Sequence, residues 1–229
     1  MFGQVKDYES MLNRIAFGTF VASLATAWWV LKASGLLLSV SKNVPGTLKI
    51  GGNEIPLQLA IPAFVIALVS RGIRLHDRVS DFFGIRAAFD VRAILLPLAR
   101  GVGFPEDSKT APRMSKSRQQ LMEHVFYPYA SSTDNNPAVG RHLVVMALEQ
   151  WSWVWTCVEA TVVCLLGALC LVIGYRADAA IPLLVAAVAL CVVVLAMMPS
   201  CFSYARRQVE IIIADPGRRV AVRSVFDAL

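Results

Sequence analysis

Residues 142–175 read HLVVMALEQWSWVWTCVEATVVCLLGALCLVIGY. The segment opens at His142 as a moderately polar helix and meets three tryptophans, Trp151, Trp153 and Trp155. One carboxylate, Glu159, then enters an apolar run that lasts to Gly174. An uninterrupted run of this kind predicts a helix that crosses a bilayer. Tryptophans at i, i+2 and i+4 point in different directions around a helix, so they collar it as an interfacial belt would. A ligand-stacking cage is the competing use of the same three rings.

Outward from that segment, the composition agrees. Of 229 residues, 56% are hydrophobic and 17% charged, against about 45–50% and about 25% in soluble domains. Three further apolar runs occur, Ile15–Leu31, Pro56–Ser70 and Ala180–Cys201. Trp28, Trp29 and Lys32 close the first as belt and snorkelling lysine. The second is short, and Pro62 inside it predicts a kink. Residues 41–55 separate these two runs. There Thr47–Ile50 alternates ahead of Gly51-Gly52-Asn53, which predicts a β-hairpin or tight loop.

Residues 71–150 form the only large hydrophilic region. Leu75–Phe83 reads as a continuation of the second span, ended by Gly84. Ile85–Ala99 and Ser115–Phe126 read as helices, and Gly101–Arg113 as a loop. Asn136 before Pro137 is an N-cap and N1 pair, placing the start of the long helix there. After it, Arg176–Ala179 is a tight turn. Pro199, Tyr204, Arg206 and Arg207 close the fourth run. The tail reads as two short helices broken at Asp215-Pro216-Gly217, with a β-hairpin as competitor.

The fold class that follows is an all-α integral membrane protein with four transmembrane helices in two hairpins. A mainly helical cytosolic insert (71–150) separates spans two and three, between an N-terminus (1–14) and an amphipathic tail (202–229). Eighteen lysines and arginines fall in the N-terminus, insert and tail, and four (Lys32, Lys42, Lys49, Arg176) on the other side. The positive-inside rule then puts both termini and the insert in the cytoplasm of a plasma (inner) membrane. The same split accounts for the net charge of +6 without a nucleic acid.

Among chemistry-bearing residues, Glu159 stands out. It lies eight residues past Trp151, or about 12 Å deeper by helical rise. An ionisable group inside a span handles ions or protons, bonds a neighbouring helix, or contacts another subunit. If the boundary lies deeper, Glu159 is interfacial instead. Arg74, His76, Asp77, Arg78, Asp81 and Arg86, followed by Asp90, form the densest polar cluster, either as structural ion pairs or as a phosphate-binding surface. His76, His124 and His142 match no metal spacing. Cys157, Cys164, Cys170, Cys191 and Cys201 lie in or beside the last two runs, as buried free thiols would. No metal, cofactor or catalytic residue is expected.

The expected partners are the lipid bilayer, further copies of the chain, and a cytosolic protein or small signalling ligand. The expected role is non-enzymatic: a cytosolic sensing domain coupled to spans that oligomerise or open a pore. A stress or phage-defence effector is one instance of that architecture. A transporter or channel subunit using Glu159, and a membrane-anchored enzyme with a histidine site, are the alternatives.

Overall fold

The computed structural model describes residues 5–36, 46–50, 53–105, 107–131, 138–174 and 176–228. It is all-helical apart from one small hairpin. In chain order the elements are α1 (Tyr8–Ala33), β1 (Thr47–Ile50), β2 (Asn53–Pro56), α2 (Leu57–Gly72), α3 (Leu75–Phe82) and α4 (Ile85–Phe89). A π-helical stretch (Asp90–Leu95), α5 (Leu96–Gly101), α6 (Thr110–Lys116), α7 (Arg118–Leu121) and a second π-helical stretch (Met122–Phe126) follow. The chain closes with α8 (Arg141–Ile173), α9 (Ala177–Ala214) and α10 (Pro216–Asp227). Helices α1, α8 and α9 are long and apolar enough to cross a membrane. The bent pair α2 and α3 makes a fourth candidate if it is one span.

The chain divides into two compact units. An apolar unit holds Glu9–His76 and Ser152–Met197; a polar unit holds Asp77–Trp151 and Met198–Leu229, with the short segment ending at Tyr8.

In the apolar unit, α1 and α8 run side by side in the same direction. The contacts that set this climb in step along both chains. Gly18 faces Thr156, Thr26 Oγ1 lies 3.9 Å from Cys164 Sγ, and Gly167 again meets Thr26. At the far end Trp29 Nε1 donates to the Ala179 carbonyl at 2.8 Å, beside a core of Ala168, Leu171, Ala180 and Leu183. Apolar side chains give helices little reason to associate in lipid, so small residues that admit close backbone approach have to do it. Helix α2 contributes such a face through Ala60, Ala63, Ala67 and Ser70, all buried. It runs back toward the start of α1, where Arg71 pairs with Glu9. The outward faces are apolar: Val185, Val188 and Leu195 on α9 are 62%, 64% and 70% exposed. Water would penalise so large an apolar surface, and hydrocarbon would not.

Several expectations shift here. Helix α2 contains Pro62 and continues past it to Gly72. A sharp bend of 59° lies between α2 and α3, where Arg74 takes a left-handed φ of 49°. So α3 is a separate helix and not a continuation. The hairpin forms, with β1 and β2 antiparallel and Ile50 opposite Asn53. Gly51 and Gly52 lie outside the described residues. Of the cysteines, Cys164 and Cys201 are buried, but Cys170 and Cys191 are exposed, because they lie on the outward faces of α8 and α9.

In the polar unit, Gly84 (φ 65°) turns the chain from α3 into α4. The first π-helical stretch lies just upstream of Pro97, whose ring would clash with a carbonyl four residues back; the wider turn relieves it. The predicted helix Ser115–Phe126 is instead α6, α7 and a π-helical stretch. Helix α8 starts at Arg141, behind Gly140; Asn136 and Pro137 lie outside the described residues. Helix α9 continues past Pro199 to Ala214, so the first predicted tail helix is its end. Asp215 stops it and caps α10, its Oδ1 accepting from Arg218 N at 2.8 Å. With Pro216 at the first helical position this is a standard start signal, and it decides against the hairpin. The core is Leu95, Leu98, Met114, Leu121, Val125, Ile212, Val222 and Phe226. Arg223 ties α10 down, its guanidinium over the Phe104 ring at 5.5 Å and its Nη1 on the Gly103 carbonyl.

A side chain at Gly167 would overlap Thr26 Cγ2 and press Leu183 Cδ1, whereas one at Gly72 meets nothing within 4 Å. Gly167→Ala is therefore expected to destabilise the protein by about 1–3 kcal/mol, read as denaturation in detergent micelles. Gly72→Ala should be close to neutral; equal effects would refute the tight α1–α8 packing.

Candidate functional site

The apolar unit contains one buried carboxylate among its described residues, Glu159, at 2% exposure. Three helices converge on it. Thr19 Oγ1 of α1 lies 2.5 Å and Ser70 Oγ of α2 2.7 Å from its Oε2, both within hydrogen-bond distance. Its Oε1 has no hydrogen-bond partner among the described residues, and neither does the buried hydroxyl of Ser23. Ser70 sits in the last turn of α2, so Glu159 is enclosed by helices while lying close to one end of α2. Burying a carboxyl among apolar helices is costly unless its oxygens are served. Here two hydroxyls serve one oxygen and leave the other bare.

Around this junction Arg14, itself 7% exposed, holds its guanidinium over the Trp153 ring at 5.4 Å. His76, 4% exposed, lies against Trp155 with ring centroids 6.0 Å apart. In the polar unit Trp151 packs edge-on against Phe89 at 4.6 Å. All three rings of the tryptophan series thus contact protein side chains. Trp28 is 44% exposed, and Trp29 makes the bond to Ala179.

The polar cluster is partly assembled. Arg86 pairs with Asp77 at 3.0 Å, and Tyr8 donates to Asp77 at 3.2 Å. Asp81 lies 3.9 Å from Arg118, whose closer partner is Asp90 at 2.8 Å. Arg74 and His76 fall in the apolar unit, and Arg78 is exposed. Burial opposes the charge of Arg86, but Tyr127, Asp77 and Asp90 outweigh it and raise its pKa. For Asp90 burial wins: its pKa is raised despite the bond and charge of Arg118. Of the other histidines, His124 Nδ1 lies 2.7 Å from the Gln120 carbonyl and His142 is exposed. Among the described residues no three His, Cys, Asp or Glu side chains are placed to hold a metal.

Thr19, Ser70, Ser23 and Arg118 were not singled out from the sequence. A signal existed for α1: Gly18, Thr19, Ser23 and Thr26 recur at helical spacing inside an apolar run, the pattern of a helix-packing face. Nothing local marked Ser70 or Arg118, whose partners lie 89 and 28 residues away.

The raised pKa of Asp90 has a definite sign. The folded state holds its proton to higher pH than the unfolded chain, so its contribution to stability is complete below the unfolded value. That contribution is lost as pH rises through the folded value. Asp90→Asn keeps an acceptor for Arg118 and should flatten the pH dependence of melting just above the ordinary carboxyl range of 3.8. Arg118→Ala leaves Asp90 without its ion pair and should cost about 1.5–3 kcal/mol. Melting in detergent from acid to neutral pH checks both; an unchanged slope in Asp90→Asn refutes the assignment.

No curated protein and no solved structure matches this chain. A family model does, over residues 7–228, almost the whole sequence and both units, and the chain therefore belongs to the YmfE protein family.

Proposed function

We propose that this chain is a four-span membrane protein, with α2 as its short second span and both termini and the central region cytoplasmic. It works without catalysis, coupling a cytoplasmic sensing unit to the bilayer. The observation that carries the reading is the course of α8 and α9, each an unbroken helix with residues in both units. A change in the polar unit therefore has a continuous helical route into the apolar one. Parallel α1 and α8, with α2 returning toward the start of α1, agree with the four-span threading. So does the concentration of arginine and lysine in the polar segments. The sensed species is a small ligand or a cytosolic protein, the chain self-associates, and a stress or phage-defence effector is one form of such a device.

A second reading, a transporter or channel subunit, is favoured by the bare Oε1 of Glu159. Liposome flux by the purified protein is its test, with no flux in the wild type counting against it.

For the first reading, reporters that are active only outside the cytoplasm should be silent at the C-terminus and at Lys109. They should be active in the hairpin between β1 and β2. A potential-sensitive dye in expressing cells should report depolarisation under a stress that recruits the sensing unit. Active reporters at Lys109, or a potential unchanged under every stress applied, would sink it.

A further inference from the structure

Helix α3 follows α2 after only Ile73 and Arg74, so its first residue lies within about 11 Å of the end of α2. Its eight residues make about 12 Å of helix. With a bend of 59°, α3 advances only about 6 Å along the axis of α2 over that length. Its course therefore stays near the level at which α2 ends. Arg78 is exposed, Phe82 is 84% exposed, and Phe83, just past the helix, is 68% exposed. The two rings stand edge-on with centroids 5.0 Å apart. Arg78 and Phe82, at i and i+4, share one face of α3.

Two adjacent phenylalanines are costly to leave in water. The acids of α3 are engaged by other arginines: Asp77 pairs with Arg86 at 3.0 Å, and Asp81 lies 3.9 Å from Arg118. Arg78 forms no ion pair among the described residues. We propose that α3 is an interfacial helix whose Phe82 and Phe83 enter the bilayer surface while Arg78 holds the phosphate of an anionic lipid headgroup. Helices that combine a charged face with phenylalanine or leucine lie at the boundary between headgroups and acyl chains. Arginine suits that boundary, because its stem is apolar and its guanidinium fork matches two phosphate oxygens.

Lipid is the occupant these features favour over a soluble protein. Earlier in the same stretch of chain, Phe64, Leu68 and Val69 of α2 are 60%, 57% and 52% exposed, a surface suited to hydrocarbon. An arginine without an acid calls for an anion, and the cytoplasmic leaflet is an anionic surface within reach of a helix tethered this closely to a span. The inference rests on the reading that α2 spans a bilayer. Held at the surface, α3 fixes the level at which the chain leaves the membrane for the polar unit.

The test is hydrogen exchange of the full chain in lipid nanodiscs, of phosphatidylcholine alone or mixed with phosphatidylglycerol. Amides of residues 75–83 should exchange about fivefold more slowly in the anionic discs, the effect of one arginine at such a surface. Arg78→Gln should abolish the difference between the two compositions. Phe82→Ser with Phe83→Ser should speed exchange in both. Equal exchange of α3 in the two lipids overturns the proposal, as does a difference that survives Arg78→Gln or a double serine variant that exchanges like the wild type. Slowing by glycerol phosphate in neutral discs also overturns it and assigns a soluble phosphate ligand. Protection found only in discs that hold two chains assigns the patch to a second copy instead. The wild-type comparison of the two lipids decides alone if a variant does not fold. Free exchange along α8 and α9 in the discs would defeat the membrane reading itself, so the two failures are distinct.

Discussion

A carboxyl group enclosed by three apolar helices constrains everything near it. Glu159 cannot be left unserved in such surroundings, and α8 alone offers it no partner. Thr19 comes from α1 and Ser70 from α2, so both helices must approach α8 closely and at one level. Close approach in turn requires small residues: Gly18 against Thr156, Gly167 against Thr26, and the alanine face of α2. The polar contact and the small-residue packing are therefore one design. Hydroxyls serve one oxygen of the acid, and their shortness keeps the backbones near enough to reach it.

The polar unit solves a different problem with different means. Its core is ordinary aliphatic and aromatic packing around Leu95, Met114, Ile212 and Phe226. Asp90 and Arg118 sit at its edge, where burial costs the carboxylate more than the guanidinium returns. Such a pair adds little net stability but strongly disfavours any arrangement that separates its members. It pins α7 against the π-helical stretch before Pro97, an irregular segment that regular helix bonding would not hold in place.

Much of this was legible beforehand for physical reasons. Long apolar runs, the strand pattern at Thr47–Ile50 and the break at Asp215-Pro216 are local signals, set by neighbours in the chain. The misplacements came where local signals compete. Pro199 reads as the close of the fourth run, yet α9 continues through it to Ala214, since one missing hydrogen bond does not end a helix that packing holds. Arg74 carries no sequence mark of its left-handed backbone, so the bend at the end of α2 was not foreseen. Gly101–Arg113 reads as loop from its glycine, proline and charge, but Thr110 already begins a helix.

By itself, then, the sequence determined the helical class, the number of apolar runs, the charge asymmetry and the presence of one unusual acid. Those properties follow from hydropathy and spacing along the chain. Only the tertiary structure decided that the acid is enclosed, which hydroxyls reach it, and that Asp90 rather than Asp81 is the near partner of Arg118. These are pairings between residues 28 to 140 positions apart. Spacing along one helix carries no information about which face of another helix will meet it.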